Sequence, residues 1–226
     1  MQSSTSPPQG RASRPACRFY RPLGFAYAVV RRVGCFEATR LLAGPAPSAQ
    51  IRLNLNDHYR YSLPTADQLQ RMLDARLCPV QIGSPRALAS NARHVIVAST
   101  NEQVVGFAWI AREQVNREEN FSRNKSLGTA IRLPESTAFI FNAWVSPQHR
   151  GQSLLASMII AGASDHFADI QRWVTTMDWT NVASTAAFKK LGLQELGMIA
   201  RFGCGRRQWI HVPSGAREQQ LLCSVD

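Results

Sequence analysis

Residues 138–145, Ala-Phe-Ile-Phe-Asn-Ala-Trp-Val, form an almost unbroken apolar and aromatic run that Ser146 and Pro147 stop. A run of that length bounded by a turn predicts a buried strand. The basic stretch from Gln148 then turns into a helix running to about Ala168. Trp173–Met177 predicts a second short strand. Asp178 to Asn181 opens a helix ending at Lys190, with Leu191, Gly192 and Leu193 after it. Together these segments form a βαβα unit, and the rest of the chain is arranged around it. Upstream, residues 50–56 alternate strictly and predict a half-buried strand. Pro64 and Thr65 open a helix to about Leu77 with Thr65 as N-cap, and Pro85–Asn91 adds a short helix. His94–Ser99 and Gln103–Ala111 predict a hairpin turning at Asn101 and Glu102. Downstream, Leu193–Phe202 and Arg207–Val212 predict two further strands.

The remaining segments lack such patterns. Residues 1–16 are polar, with too few apolar residues to bury a core, and are expected to be disordered. Residues 17–47 read as a helical extension, because Phe25, Val29, Val33, Phe36, Leu41 and Leu42 recur with roughly helical spacing. Arg112–Glu135 reads as a 24-residue polar connection, expected to be a functional flap or disordered. The tail 213–226 is expected to be loose. The folded domain is accordingly placed at 48–212.

Composition narrows the class. The chain has 226 residues, 45% of them hydrophobic, and no apolar run of bilayer length. Five scattered cysteines (Cys17, Cys35, Cys78, Cys204, Cys223) form no metal-type pairs and read as reduced thiols. No metal site is expected. The first 64 residues hold nine Arg against Glu37 and Asp57, whereas the rest carries 17 basic and 13 acidic residues, so the net +11 is concentrated at the N-terminus. The globular part lacks the basic-aromatic pattern of a nucleic-acid groove. A cytoplasmic location is expected. The Ser- and Arg-rich start, free of acids, leaves organelle import as the alternative.

Two stretches carry a resemblance. Val145, Pro147, Arg150, Gly151, Ser153 and Leu155 fall on the pattern Val-x-Pro-x-x-Arg-Gly-x-Gly-x-Gly/Ala. Asn181, Phe188, Lys190, Leu191, Gly192 and Leu193 fall on Asn followed seven residues later by Tyr and then Lys-Leu-Gly-Phe. In this order and separation they resemble the pyrophosphate loop and second motif of the GNAT superfamily of acyl-CoA-dependent N-acyltransferases, over about residues 48–212. The resemblance implies an α/β fold: a mixed, mostly antiparallel central sheet, splayed between its two middle strands and flanked by helices. It implies acetyl-CoA as co-substrate and direct attack on it by a primary amine of a small molecule or a protein, and it leaves room for a homodimer.

Site residues follow from it. Backbone N–H groups of Gln152, Ser153, Leu154 and Leu155 would cradle the pyrophosphate, Arg150 would add positive charge and Gly151 would allow the turn. The edge Asn142–Val145 would pair with pantetheine, with backbone N–H groups around Trp144 polarising the thioester. Asn181 would reach the pantetheine, or simply cap its helix. Ser153 and Leu155 replace the usual small residues, so Leu155 could close the loop. Phe188 replaces a Tyr, lies against the cofactor side and packs; having no proton to give, it leaves Ser184 or a water to protonate the thiolate. Asp178 is the nearest carboxylate to the inferred cleft and the first candidate for the base, unless it caps a helix. Glu135 and His149 come next. Residues 56–64 and 112–135 are expected to wall the acceptor site. The departures also leave a second reading, a regulatory or interaction module that binds acyl-CoA with little turnover.

Overall fold

The computed structural model describes residue 29 and residues 36–46, 58–90, 92–122, 124–204 and 207–225. The strand expected at 50–56 and most of the N-terminal extension lie outside them. The strands are β1 (Phe36–Pro45), β2 (Arg60–Ser62), β3 (Arg93–Thr100), β4 (Gln103–Arg112), β5 (Gln114–Val115), β6 (Ala130–Arg132), β7 (Thr137–Val145), β8 (Arg172–Asp178), β9 (Gln194–Cys204), β10 (Arg207–His211) and β11 (Leu222–Ser224). The helices are α1 (Ala66–Asp74), α2 (Leu154–His166), α3 (Val182–Lys190) and α4 (Ser214–Glu218). Eight strands form one sheet in the order β10-β9-β1-β8-β7-β4-β3-β2, and β11-β6-β5 form a smaller one.

Every neighbouring pair of the large sheet is antiparallel except β7 and β8, which run parallel. That pair is short: its register runs from Thr137 opposite Arg172 only to Ile140 opposite Thr175. Beyond it β7 stays with β4 as far as Val145 opposite Gly106, so Phe141–Val145 has lost its neighbour on the β8 side. A bulge sits at the same place. Trp109 opposes Phe141 and Phe107 opposes Trp144, which sets Asn142 and Ala143 against Ala108 alone, and Asn142 is left-handed at φ 42°. Such an extra residue bends a strand and re-aims its side chains.

Alternation along the strands sorts the core onto two faces. Ile96, Ala98, Ala108 and Ile110 meet Leu154, Met158 and Ile159 of α2 on one face. Val95, Val97, Phe107 and Trp109 meet Leu69 of α1 and Ile82 on the other. Toward β1 and β9 that second role passes to Val115, Ile131, Ala216 and Leu221, contributed by the small sheet, α4 and the residues after α4. Helix α1 begins at a capping box, with Gln68 N–H donating to Thr65 Oγ1 at 3.3 Å and Thr65 N–H to Gln68 Oε1 at 2.8 Å.

Three expectations are corrected. Residues 36–45, read as helical, are strand β1 between β8 and β9. Ala38, Leu41, Leu42 and Ala43 are buried on its two faces, as in any strand covered on both sides. Its polar residues are partnered: Glu37 accepts N–H groups of Ser122 and Asn124 at 3.1 and 2.6 Å, Thr39 accepts from Arg201 at 2.9 Å, and Arg40 grips both carboxylate oxygens of Glu195 at 2.9 and 2.8 Å. These partnered polar positions broke the strand pattern and left a false helical spacing. The folded domain therefore includes residues well before 48.

Residues 112–135 are a folded lobe. It contains β5, a 3-10 turn at Lys125–Leu127 and β6. Glu119 grips Arg93 through both oxygens at 2.8 and 2.7 Å, and buried Asn120 donates to Thr129 O at 2.8 Å. The tail is anchored too: Ala216 and Leu221 are buried, and β11 pairs with β6.

Candidate active site

The gap between β7 and β8 opens a cleft of about 960 Å³. Its walls are Phe141 to Ala143 of β7, Thr175 to Asp178 of β8, Ile82 to Ser84 with Ala87, Glu118, Glu119, Phe121 and Ser122 of the lobe, and Ser184 and Phe188 of α3 with its cap Asn181. A second groove of about 520 Å³ runs beside the start of α2. It is lined by Ala143, Trp144, Val145, His149 to Gly151, Ser153 to Ala156 and one face of α3. Ala143, Asn181 and Ser184 belong to both. The two spaces therefore meet at the end of the opened strand.

The groove is built for an anion. Helix α2 begins at Leu154 with no side chain capping its first turn, which leaves its N–H groups to a ligand. The partial positive charge of the helix adds to them. Gly151 makes the turn at φ 81°, with open space where a Cβ would stand. Ser153 adopts the left-handed region at φ 58°, ψ 17°, so the chain takes there the backbone shape that a glycine adopts without strain. Leu155 does not close the groove. It lines the space and packs on the core that α2 shares with the sheet. Arg150 is exposed, and its Nε donates to Val145 O at 3.1 Å, which keeps a cation at the mouth of the strand edge. Gln152 offers its backbone, but its side chain is engaged elsewhere: its Oε1 accepts from Tyr59 Oη at 2.6 Å.

Along the open edge of β7, residues 142–145, the amides take alternate sides. Ser146 N–H donates to Val105 O at 2.8 Å. Counting back from Ser146, Trp144 N–H also points to β4, while the Val145 amide beside it points to the unpaired side. The Trp144 ring stacks on Phe107 at 5.8 Å between centroids.

Asp178 lies in the cleft wall, and its carboxylate is held on both oxygens. Oδ1 accepts from Thr180 N–H at 2.9 Å and from the Thr180 hydroxyl, and Oδ2 accepts from Ser122 Oγ at 2.8 Å. It thus organises the turn into α3 as well as facing the cleft. Asn181 is the N-cap of α3, its Oδ1 accepting Ser184 N–H at 3.1 Å. Phe188 is buried, and it belongs to the cleft wall and the core rather than to the groove. Ser184 stands where cleft and groove join. Glu135 lies apart from the cleft, beside Pro134 and Ser136 in two hollows at the other end of the sheet. His149 lines the groove, in the 3-10 turn Pro147–His149.

The wall of the cleft was half legible. The lobe supplies Glu118, Glu119, Phe121, Ser122 and Lys125 as expected of 112–135. Residues 58–62 do not line the cleft: Tyr59 bonds the groove loop instead. Ile82, Gly83, Ser84 and Ala87 take that place. Their one sequence signal is the Gly-Ser-Pro turn at 83–85, which says nothing of what it faces. Ser122 likewise carries no local signal, because its partners Glu37 and Asp178 lie 85 and 56 positions away.

Known proteins were compared with this chain. A family model described as the acetyltransferase (GNAT) family matches residues 56–193. No curated protein matches the chain. Among solved structures it is similar to an acetyltransferase of the GNAT family from Novosphingobium aromaticivorans, at 12% identity and a TM-score of 0.45, covering 73% of this chain and 62% of that one. It is also similar to a GCN5-related N-acetyltransferase from Kribbella flavida, at 13% identity and a TM-score of 0.43, covering 78% and 62%. A third is AAC(6')-Iy in complex with the bisubstrate analogue CoA-S-monomethyl-acetylneamine, at 16% identity and a TM-score of 0.43, covering 67% and 99%. The chain spans under two thirds of the length of the first two.

Proposed function

Because the chain belongs to the acetyltransferase (GNAT) family, we propose that it transfers an acetyl group from acetyl-CoA to a primary amine of a small molecule or a protein. One observation carries this reading: an anion-ready groove and a separate cleft meet at the unpaired edge of β7. An acyl thioester anchored by its phosphates in the groove would bring its carbonyl to that junction, and an amine would reach it from the cleft.

In the reaction the amine nitrogen bonds the thioester carbon, the carbon–sulfur bond breaks and coenzyme A leaves as thiolate. The N–H groups of Leu154, Leu155 and Ala156 with Arg150 hold the pyrophosphate, as uncapped helix starts hold phosphates. Val145 offers its amide to the pantetheine or to the thioester oxygen. Asp178 receives the amine proton, held for that task by the Ser122 hydroxyl. Ser184 gives a hydrogen bond to the departing sulfur, the part that Phe188 cannot play.

Calorimetry with acetyl-CoA tests the reading. The wild type should bind in the micromolar range and Arg150→Ala about tenfold more weakly, the size of one charge-assisted contact, about 1.4 kcal/mol. Thiol release over an amine panel should then be lowered about 10²- to 10⁴-fold in kcat by Asp178→Asn, the usual weight of a general base. Absence of acetyl-CoA binding by the wild type would overturn the reading.

A further inference from the structure

The groove loop is held by a residue far from it in sequence. Tyr59 precedes β2 and is buried at 7% exposure, its ring in the core under α2. Its hydroxyl contacts two residues of the loop. It lies 2.9 Å from His149 Nδ1 and 2.6 Å from Gln152 Oε1. The rings of Tyr59 and His149 also meet edge to face, with centroids 5.6 Å apart.

A phenol has one proton. Gln152 Oε1 can only accept, so the proton of Tyr59 goes there, and the bond to His149 forms only if Nδ1 carries hydrogen. The neutral imidazole is thereby fixed as the Nδ1–H tautomer, with Nε2 as its lone-pair nitrogen. Tyr59 thus clasps the loop at two points, one on each side of the Arg150–Gly151 turn. The second point immediately precedes Ser153, a non-glycine residue in the left-handed region. A serine resists that shape where a glycine would accept it. A clasp on the preceding residue holds the turn, and with it the aim of the N–H groups that follow.

We propose that Tyr59 is a positioning residue for the acyl-CoA pyrophosphate, acting through His149 and Gln152 to preorganise the loop Arg150–Leu155. The proposal rests on the acetyl-CoA reading above and names what sets the shape of its phosphate site. A preorganised loop binds with less ordering on association, so loss of the clasp should show in affinity.

The test uses the full chain, with Tyr59→Phe removing only the oxygen. Two readouts are needed. Nitrogen NMR of the histidine side chains should find neutral His149 as the Nδ1–H tautomer in the wild type and as the commoner Nε2–H tautomer in the variant. Calorimetry with coenzyme A should show a Kd raised about tenfold by Tyr59→Phe, with the far-ultraviolet circular dichroism unchanged. Should the buried substitution unfold the chain, the double variant His149→Ala/Gln152→Ala removes the same two bonds from the loop side and should raise the Kd equally. An equal Kd in wild type and folded variant overturns the inference alone, as does an Nε2–H tautomer in the wild type. Failure of the wild type to bind coenzyme A at all overturns the proposed function, and this inference with it.

Discussion

Ser153 shows how one residue departs from a family pattern and keeps its shape. It stands where the resembling loops carry glycine, yet its φ is 58°. Replacement by glycine should change stability by less than about 1 kcal/mol, since relief of strain is offset by the larger entropy of the unfolded glycine chain. Ser153→Val should cost more than about 1 kcal/mol in urea unfolding and weaken coenzyme A binding, because a β-branched side chain is a poor occupant of that region. The cysteines make a second residue-level case. Burial pushes the Cys78 and Cys223 thiols from 9.0 up to about 11, against a smaller opposing pull from Arg201 on Cys223. Both should therefore react slowly with iodoacetamide at pH 8 in the folded protein and quickly in urea. The raised value favours the protonated form on folding. The associated stability is present below pH 9 and should be lost as the pH rises toward 11. At this scale Thr65 as a cap follows from local spacing, while capping was one of two readings open for Asn181 and packing was read for Phe188 beside its place on the cofactor side. The bulge at Asn142 was not legible, because it depends on pairing with β4.

Among the elements, α2 is tied to the sheet by close approach. A Cβ on Gly162 would stand 2.3 Å from Ile96 Cδ1 of β3, so Gly162→Val should overpack that contact and destabilise by about 1–3 kcal/mol, read as a lower midpoint in urea. Thr65→Ala should remove the capping box of α1 at a cost of about 1 kcal/mol. The βαβα unit was legible because each element carries its own period and its own stop. Strand β1 was not, since buried Glu37 and Thr39 and half-buried Arg40 are satisfied by residues remote in sequence. The lobe 112–135 was opaque for the same reason: Glu119 has its partner at Arg93, and Asn120 accepts from Thr176 Oγ1 at 2.5 Å.

Over the whole molecule, the large sheet divides at the β7–β8 gap into halves of different kind. Strands β2, β3, β4 and β7 follow one another closely along the chain, whereas β1 joins β8 and β9 from the far end: Arg40 bonds Trp179 139 positions on, and Arg201 bonds Thr39 162 positions back. The C-terminal segment completes the core of the second half. Leu221→Ala should therefore cost about 2–5 kcal/mol, and removal of residues 213–226 should abolish cooperative unfolding followed by tryptophan fluorescence. Fold class was legible from the order of elements taken with the two motifs, but the pairing of β1 with β8 and β9 was not, because pairing between remote strands leaves no local pattern. It has a consequence for the protein while it is being made. A ribosome releases β1 before β2 to β7 and its neighbours β8 and β9 only after them, so an apolar strand with both edges unpaired must wait while the other half of the sheet forms behind it. During that interval its best available partner is the same strand of another nascent chain or a chaperone, and slowing elongation before β8 should lengthen the exposure and lower the soluble yield.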